Sequence, residues 1–169
     1  MRCPRWAAAA AGLGGRLYVA GGHEDNSRAV LGDVERLAPA PGQACGGEAR
    51  WEALHPLRFP RAAFALASAG GKLYAVGGYD RQERGLRWLE RFDPARGVWE
   101  VLAAMDAPRW GLGAASCAGH LLVFGGHAGG GGASANLASV QRFDPEAGRW
   151  AAAGKLRTAR RCCAIAACR

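Results

Sequence analysis

Three segments of the 169-residue chain repeat one another in register, and this repetition constrains the fold more than any other feature of the sequence. The segments read RWAAAAAGLGGRLYVAGG, RAAFALASAGGKLYAVGG and RWGLGAASCAGHLLVFGG, and they begin at Arg5, Arg61 and Arg109. In each, a double glycine begins 16 residues after the arginine: Gly21 and Gly22, Gly77 and Gly78, and Gly125 and Gly126. Chance does not give the same spacing three times, so the chain is built from structural repeats.

Each repeat continues with a second shared motif and a tryptophan. The motifs are VERLAP, LERFDP and VQRFDP, and the tryptophans that follow them are Trp51, Trp99 and Trp150, at intervals of 48 and 51 residues. In the first copy Ala38 replaces the aspartate of the Asp-Pro turn, and the linker APAPGQACGGEAR lengthens the connection. The repeat therefore has a period of about 50 residues.

One repeat contains four short candidate strands. The alanine-rich run after the arginine gives the first, LYVAGG and its equivalents the second, the E-R-F motif the third, and the tryptophan segment the fourth. The 26 glycines argue against helices, because glycine costs about 1 kcal/mol in a helix interior relative to alanine. Four antiparallel strands at this period are typical of one blade of a β-propeller, so we predict an all-β propeller fold.

The residue types fit the geometry of such a blade. Small residues suit the crowded innermost strand, and the double glycine lets the second strand leave the sheet close to a neighbouring backbone. A tryptophan on the outer strand supplies apolar surface for the wider gap between blades. We therefore expect the three repeat tryptophans and the six glycines of the double-glycine motifs to have structural roles.

On these motifs the chain resembles the kelch-repeat family. The resemblance rests on Pro-Arg, the double glycine after LYVA or LYAV, E-R-F-D-P and the spaced tryptophan, and it covers nearly the whole chain. It predicts kelch repeats at residues 5–60, 61–108 and 109–159, preceded at residues 1–4 by the end of another blade. The chain departs from the family pattern at Ala38, at Leu122 in place of a tyrosine, and in the glycine run at residues 129–132.

The resemblance also predicts an incomplete propeller, because kelch propellers usually close with six blades and this chain supplies three. Met1 occupies the frame that Met105 holds in M-x-x-P-R, so we expect it to be an internal repeat position at the end of a missing blade. Residues 160–169 repeat the arginine and first strand, and in the family such a strand closes the ring. An open half-propeller exposes unpaired blade faces, so we expect the isolated chain to be oligomeric or poorly soluble.

The resemblance implies a protein-interaction module rather than an enzyme. Many kelch propellers receive the substrate in cullin-3 ubiquitin ligase adaptors, whose N-terminal BTB and BACK domains bind the cullin. This chain resembles the C-terminal half of such an adaptor, truncated so that it lacks the BTB domain. Other kelch propellers bind actin, so a cytoskeletal or scaffold role is the alternative. We expect no catalysis, metal or cofactor, because the four histidines are scattered and no paired carboxylates accompany them.

The loops after the double glycines are the expected partner-binding surface, as in the family. They begin HEDNSR, YDRQERGLRW and HAGGGG, and the second presents arginines beside aromatic rings. Arginine pairs with carboxylates through two parallel hydrogen bonds, so an acidic peptide segment is the predicted ligand. Alternatively, Asp80 and Glu83 pair with these arginines in a solvated loop. The candidate partner-binding residues are His23, Asp25, Tyr79, Arg81, Arg84, Arg87, Trp88 and His127.

The net charge of +8 comes from 22 basic residues, of which only Lys72 and Lys155 are lysines. This charge favours an acidic partner. Nucleic acid is not expected, because no basic run is long enough and seven arginines fall at repeat positions, which makes them framework residues. These are Arg5, Arg36, Arg61, Arg91, Arg109, Arg142 and Arg160.

The six cysteines, at positions 3, 45, 117, 162, 163 and 168, show neither C-x-x-C pairs nor the spacing of a zinc site. Their irregular placement favours a reducing compartment, so we predict a cytoplasmic or nuclear protein. No segment approaches the roughly 20 apolar residues of a membrane span, and no membrane partner is expected. Redox sensing at Cys162 and Cys163, beside two arginines, is an alternative to inert thiols.

Overall fold

The computed structural model describes residues 1, 3–25, 27, 29–38, 50–129 and 136–162. No helix long and apolar enough to cross a membrane occurs in this described part of the chain. The strands are β1 (Arg5–Trp6), β2 (Ala9–Leu13), β3 (Arg16–Ala20), β4 (His23–Glu24), β5 (Val34–Ala38), β6 (Arg50–Leu54), β7 (Ala65–Ala69), β8 (Lys72–Val76), β9 (Leu89–Asp93), β10 (Val98–Leu102), β11 (Gly113–Cys117), β12 (His120–Phe124), β13 (Ser139–Asp144) and β14 (Arg149–Lys155).

The longer strands form three four-stranded antiparallel sheets. Their orders are β2-β3-β5-β6, β7-β8-β9-β10 and β11-β12-β13-β14, and we name these sheets the first, second and third blades. The predicted all-β fold and the four strands of each repeat are confirmed, and the three blades form an open, incomplete propeller. The repeat boundaries stay predictions. The proposed closing strand falls mainly on residues 163–169, which lie outside the described residues.

The hydrophobic core lies between neighbouring blades, and strand β8 shows how it is built. Side chains alternate across a strand, so Leu73 and Ala75 pack with residues of the first blade while Tyr74 and Val76 pack with residues of the third. All four are buried. The second blade is therefore covered on both faces, which explains why its strands β7 and β8 read as nearly continuous apolar runs.

Two repeat tryptophans contact the connections between blades. Trp99 packs against Phe92 with ring centroids 5.1 Å apart and donates its indole N–H to the carbonyl of His55 at 3.0 Å. Trp150 repeats this arrangement in the third blade, where its indole N–H donates to the carbonyl of Ala103 at 2.7 Å. Each indole thus fills apolar space and also satisfies a backbone acceptor in the preceding connection.

The double glycines bring the backbone of one blade against the next. Gly77 has a φ of 67°, and a Cβ at this position would lie 2.4 Å from the carbonyl oxygen of Arg109. Gly78 donates its N–H to the same carbonyl at 2.9 Å. The first and third double glycines make the same contact with the carbonyls of Arg61 and Arg160. Only glycine combines this backbone conformation with so close an approach.

A second backbone link joins the blades two residues after each repeat arginine. The N–H of Ala63 donates to the carbonyl of Ala7 at 2.9 Å, and the N–H of Gly111 donates to that of Ala63 at 2.7 Å. Cys162 continues the series by donating to Gly111 at 2.6 Å. All four residues have positive φ. Residues 160–162 therefore follow the same geometry as the start of each of the three blades.

The repeat arginines are held in buried sites that we name arginine clasps. Arg61 has no exposed surface; it pairs with Glu90 and donates to the carbonyls of Gly77 at 3.0 Å and Trp88 at 3.1 Å. Glu90 also accepts the backbone N–H of Arg58 at 2.7 Å. Desolvation lowers the pKa of Arg61, and the carboxylate of Glu90 opposes that effect. The clasp joins the entry of the second blade to its second and third strands.

The third blade has a different clasp. In the first blade Arg5 pairs with Glu35 at 2.5 Å, whereas the third blade has Gln141 at the position of the glutamate. Arg109 donates instead to the hydroxyl of Ser139 at 3.2 Å. The third clasp therefore holds a buried arginine with no carboxylate at the glutamate position.

Candidate partner-binding surface

The residue after each repeat arginine meets the residue after each double glycine. These backbone pairs are Trp6 with His23, Ala62 with Tyr79, and Trp110 with His127. The double glycine turns the chain out of the second strand, and the carbonyl of the next repeat arginine fixes where that turn lies. Because every blade repeats this pairing, the side chains that follow the double glycines gather at one end of the propeller.

Five rings at this end form a continuous series across all three blades, which we name the aromatic row: Trp6, His23, Tyr79, Trp110 and His127. Trp6 stacks on His23 with centroids 4.2 Å apart and planes 14° from parallel. Tyr79 lies 5.6 Å from His23 and 5.9 Å from Trp110, in an edge arrangement with the latter. His127 completes the series 4.7 Å from Trp110. Trp6 is exposed, Tyr79, Trp110 and His127 are half-buried, and His23 is buried beneath its neighbours. The accessible part of the row combines ring faces with hydrogen-bonding groups, as interface hot spots do.

Tyr79 is the centre of the row, because it connects the first blade to the third. Its hydroxyl shares a 3.0 Å hydrogen bond with Nε2 of His23. Burial raises the pKa of Tyr79, and the nearby carboxylate of Glu83 raises it further. The phenol is therefore neutral at physiological pH, and it can act as either donor or acceptor toward a partner.

A cleft of about 670 Å³ lies beside the row, between the first two blades. Its lining is Trp6, His23, Asp25, Ala29, Val30, Tyr79, Asp80, Arg81 and Glu83. Four of the predicted site residues therefore lie together in it: His23, Asp25, Tyr79 and Arg81. A cleft of this size can take a side chain and the adjoining backbone of a partner.

Arg84 is engaged within its own loop. It forms a salt bridge with Asp80 at 2.7 Å, and Asp80 also accepts the backbone N–H groups of Gln82 and Arg84 at 2.9 and 3.0 Å. Although desolvation raises the pKa of Asp80, hydrogen bonds from Arg84 and Gln82 bring it below its usual value. The alternative that the sequence left open, in which the loop carboxylates pair with the loop arginines, therefore holds for Arg84 and Asp80.

The other predicted residues take three different positions. Arg87 is exposed and does not line the cleft. Trp88 stacks on Phe59 at 5.3 Å with planes 13° apart, also outside the cleft. His127 ends the aromatic row, and its Nδ1 accepts the N–H of Gly129 at 3.1 Å. The structure thus separates the predicted set into a cleft group and a group along the second and third blades.

Trp6 and Trp110 were missed as site residues by the sequence reasoning, which read Trp6 only as part of an alanine-rich stretch. The available signal was their register, because each directly follows a repeat arginine. Arg161 occupies the same position after Arg160, and its guanidinium lies 5.2 Å from the ring centroid of Trp110. The position after the repeat arginine therefore contributes to this surface through Trp6, Trp110 and Arg161, whereas Ala62 at the same position of the second repeat is buried.

No group of three or more histidine, cysteine, aspartate or glutamate side chains is placed to hold a metal ion in the part of the chain that the structure describes. His23 and His127 belong to the aromatic row instead. The surface presents aromatic rings, hydrogen-bonding groups and charged side chains, through which it can contact a partner.

Comparison with known proteins places this geometry in context. A family model described as Kelch motif matches residues 60–106 and 108–157. The chain is 34% identical to human Kelch-like protein 33 over 139 residues, which is 82% of this chain and 24% of that protein. It is also 34% identical to human Kelch repeat and BTB domain-containing protein 13 over 116 residues, 69% of this chain and 24% of the relative. The chain thus spans about a quarter of the length of these curated relatives.

The same architecture occurs in a solved structure, that of YjhT. The two superpose with a TM-score of 0.71 at 17% sequence identity, over 91% of this chain and 52% of the YjhT chain. The likeness concerns the fold. It agrees with an open arrangement of blades that amounts to part of a larger propeller.

Proposed function

The chain belongs to the kelch-repeat family, and we propose that it is a protein-interaction module whose partner binds across the aromatic row and the neighbouring cleft. The observation that carries this proposal is the row itself, five rings from three blades in consecutive contact at one end of the propeller. Trp6 is among the most exposed large apolar residues that the structure describes. Large aromatic groups at a solvent-facing surface are typical of sites that bind protein.

We propose an acidic peptide segment as the ligand. Arg161 lies over the ring of Trp110, and Arg87 is exposed two residues after Gly85, whose backbone pairs with that of Tyr79. Neither arginine pairs with a carboxylate among the described residues. Arg81 adds a third exposed guanidinium at the rim of the cleft. Arginine binds carboxylates with two parallel hydrogen bonds, so these side chains suit glutamate and aspartate residues of a partner.

The finer biological proposal is substrate recognition for a cullin-3 ubiquitin ligase. It is supported by the matches to Kelch-like proteins and to a relative whose name includes a BTB domain. Cullin binding would then come from a BTB domain, which is not among these 169 residues. Cytoplasmic or nuclear localisation forms part of the same proposal.

Binding of acidic peptides tests the proposed ligand. The probe is an acetylated, glutamate-rich peptide without arginine or lysine, and its affinity is measured for the unaltered chain, for the double variant Arg87→Gln with Arg161→Gln, and for Arg149→Gln. Arg149 lies exposed on β14, outside the surface, and serves as the control. Each exposed ion pair contributes up to about 1 kcal/mol, so we expect the double variant to bind about tenfold more weakly and the control to bind normally. Equal affinities for all three proteins would refute the acidic ligand.

The adaptor proposal has its own test. The transcript upstream of the Met1 codon should encode further kelch blades in frame, with a BTB domain before them. An in-frame stop codon without such sequence would contradict the adaptor role. Co-sedimentation with actin filaments that depends on Trp110 would point to the cytoskeletal alternative instead.

A further inference from the structure

Among the described residues, the lining of the cleft between the first and second blades is richer in carboxylates than in cations. The described residues that line it include three carboxylates, of Asp25, Asp80 and Glu83, against one guanidinium, of Arg81, whereas the chain as a whole has a net charge of +8. Asp80 is held by Arg84. Asp25 and Glu83 have no ion-pair partner in the described part of the chain. A concave site with excess carboxylate attracts cations.

The aromatic lining of the cleft supplies the second requirement of a cation site. The indole of Trp6 is covered on one face by the imidazole of His23, at a centroid distance of 4.2 Å, and Trp6 as a residue is 47% exposed. Tryptophan is the strongest aromatic partner of a cation, which it binds over its ring face. The ring of Tyr79 stands beside His23 and extends this lining toward the second blade.

We propose that this cleft receives an arginine side chain of the bound partner. The guanidinium stacks on the open face of Trp6 and donates its N–H groups to the carboxylates of Asp25 and Glu83, because a planar guanidinium binds rings through its face and carboxylates through its edge. Ala29 and Val30 contact the methylene stem of the arginine. The inference rests on the proposed function and deepens it, since it gives the partner a basic residue next to its acidic segment.

Arg81 lines the same cleft and carries a positive charge, which should repel an arginine side chain bound there. Its substitution therefore tests the proposal. Removing that charge should strengthen the binding of an arginine side chain. The same change should weaken the binding of the acidic peptide. Opposite effects of one substitution on two ligands would separate the cleft from the rest of the surface.

The probe for the cleft is Nα-acetyl-arginine amide, and its control is the citrulline analogue, which has nearly the same shape without the charge. The full 169-residue chain is labelled with ¹⁵N-tryptophan, and the indole N–H signals of its six tryptophans are followed during titration. The signal of Trp6 is assigned with the Trp6→Phe variant. Trp99 and Trp150, whose indoles donate to backbone carbonyls in the blade connections, serve as internal references.

We expect the arginine probe to shift the Trp6 signal saturably while the reference signals stay in place. The citrulline probe should bind about two- to fivefold more weakly, since a cation–π contact contributes about 0.5–1 kcal/mol at an exposed site. Asp25→Asn and Glu83→Gln should each weaken the arginine probe by about two- to fivefold, and Arg81→Gln should strengthen it by a similar factor. All three positions are exposed, so these substitutions leave the blade core unaffected.

Equal midpoints for the arginine and citrulline probes would overturn the proposal. So would an unchanged response in the double variant Asp25→Asn with Glu83→Gln. If the double variant responds to the arginine probe as the unaltered chain does and still binds the acidic peptide normally, the arginine cleft is refuted while the proposed function is supported. If the arginine probe binds as expected while the acidic peptide does not bind, the arginine cleft is supported and the acidic ligand is refuted.

Discussion

Replacing Gln141 with glutamate should stabilise the protein by completing the third arginine clasp. In the second blade, Arg61 faces Glu90 and neither side chain has exposed surface. In the third blade, Nε of Arg109 and Oε1 of Gln141 have no hydrogen-bond partner among the described residues. Burial lowers the pKa of Arg109, and the carboxylate of Asp106 opposes this effect only in part. A carboxylate at position 141 would therefore meet a buried cation that has no direct salt bridge among the described residues.

The magnitude follows from two opposing contributions. A hydrogen bond to a charged group contributes about 1.5–3 kcal/mol. Against it stand the loss of the 3.1 Å bond from Gln141 to Asp106 and the repulsion between Asp106 and the new carboxylate. Asp106 is exposed, so this repulsion is screened to about 1 kcal/mol or less. We expect a net gain of about 1–2 kcal/mol in the free energy of unfolding, which corresponds to about 2–8 °C in Tm for a chain of this size.

Equilibrium urea unfolding at pH 7, followed by tryptophan fluorescence, measures this gain. The variants are Gln141→Glu and Gln141→Glu combined with Asp106→Asn, which removes the repulsion and should add to the gain. The reverse change, Glu90→Gln, leaves Arg61 buried without a carboxylate and should cost about 3–5 kcal/mol. The arginine depresses the pKa of the new glutamate in the folded state, so its contribution should be present above about pH 4.3 and fall away as the pH drops further. If both Gln141 variants unfold at or below the wild-type urea concentration, the reasoning is wrong.

Three further predictions concern the turns, the second loop and the blade faces. Gly77→Ala should lower the free energy of unfolding by at least about 3 kcal/mol, because the new Cβ would lie 2.4 Å from a backbone oxygen. The control Gly70→Ala, also at positive φ but in open space, should lower it by about 1 kcal/mol. Equal losses in thermal or urea unfolding would refute the close approach. The pKa of Asp80 is lowered, so its contact with Arg84 should persist below the ordinary aspartate range and be lost only as the pH falls through the lower folded-state value; carboxyl NMR titration with a midpoint at or above about 3.9 would contradict this. The first and third blades pack on opposite faces of the second, which leaves their outer faces for association, so the isolated chain should self-associate. Light scattering that shows a concentration-independent monomer would count against it.

The register of the repeats predicted the fold because each motif fixes one strand boundary. The double glycine ends the second strand of each blade, and the tryptophan marks the fourth, so three aligned copies sufficed to divide the chain into sheets. The repeat arginines were identified as framework residues for the same reason. Their carboxylate partners were not identified, although Glu35 and Glu90 occupy the same place in the E-R motif, because pairing across about 30 residues depends on how the blade folds back.

The candidate site was less accessible to sequence reasoning. The repeat register identifies the loops after the double glycines, but the contacts of Tyr79 with His23 and Trp110 cross blade boundaries and depend on how neighbouring sheets are placed. The pairing of Arg84 with Asp80, four residues apart, was foreseen as an alternative because it is local. The stacking of Trp88 on Phe59, which turns that ring away from the cleft, is a tertiary contact between different connections and left no periodic signal.

The most direct test of the central claim is site-specific photo-crosslinking of the aromatic row in cells. Benzoylphenylalanine replaces Tyr79 at the centre of the row in one protein and Arg149 on the exposed outer strand β14 in another. We predict discrete protein adducts from position 79 that disappear when Arg87 and Arg161 are changed to glutamine, and none from position 149. Adducts of equal yield from both positions, or from position 149 alone, would contradict the assignment of partner binding to this surface.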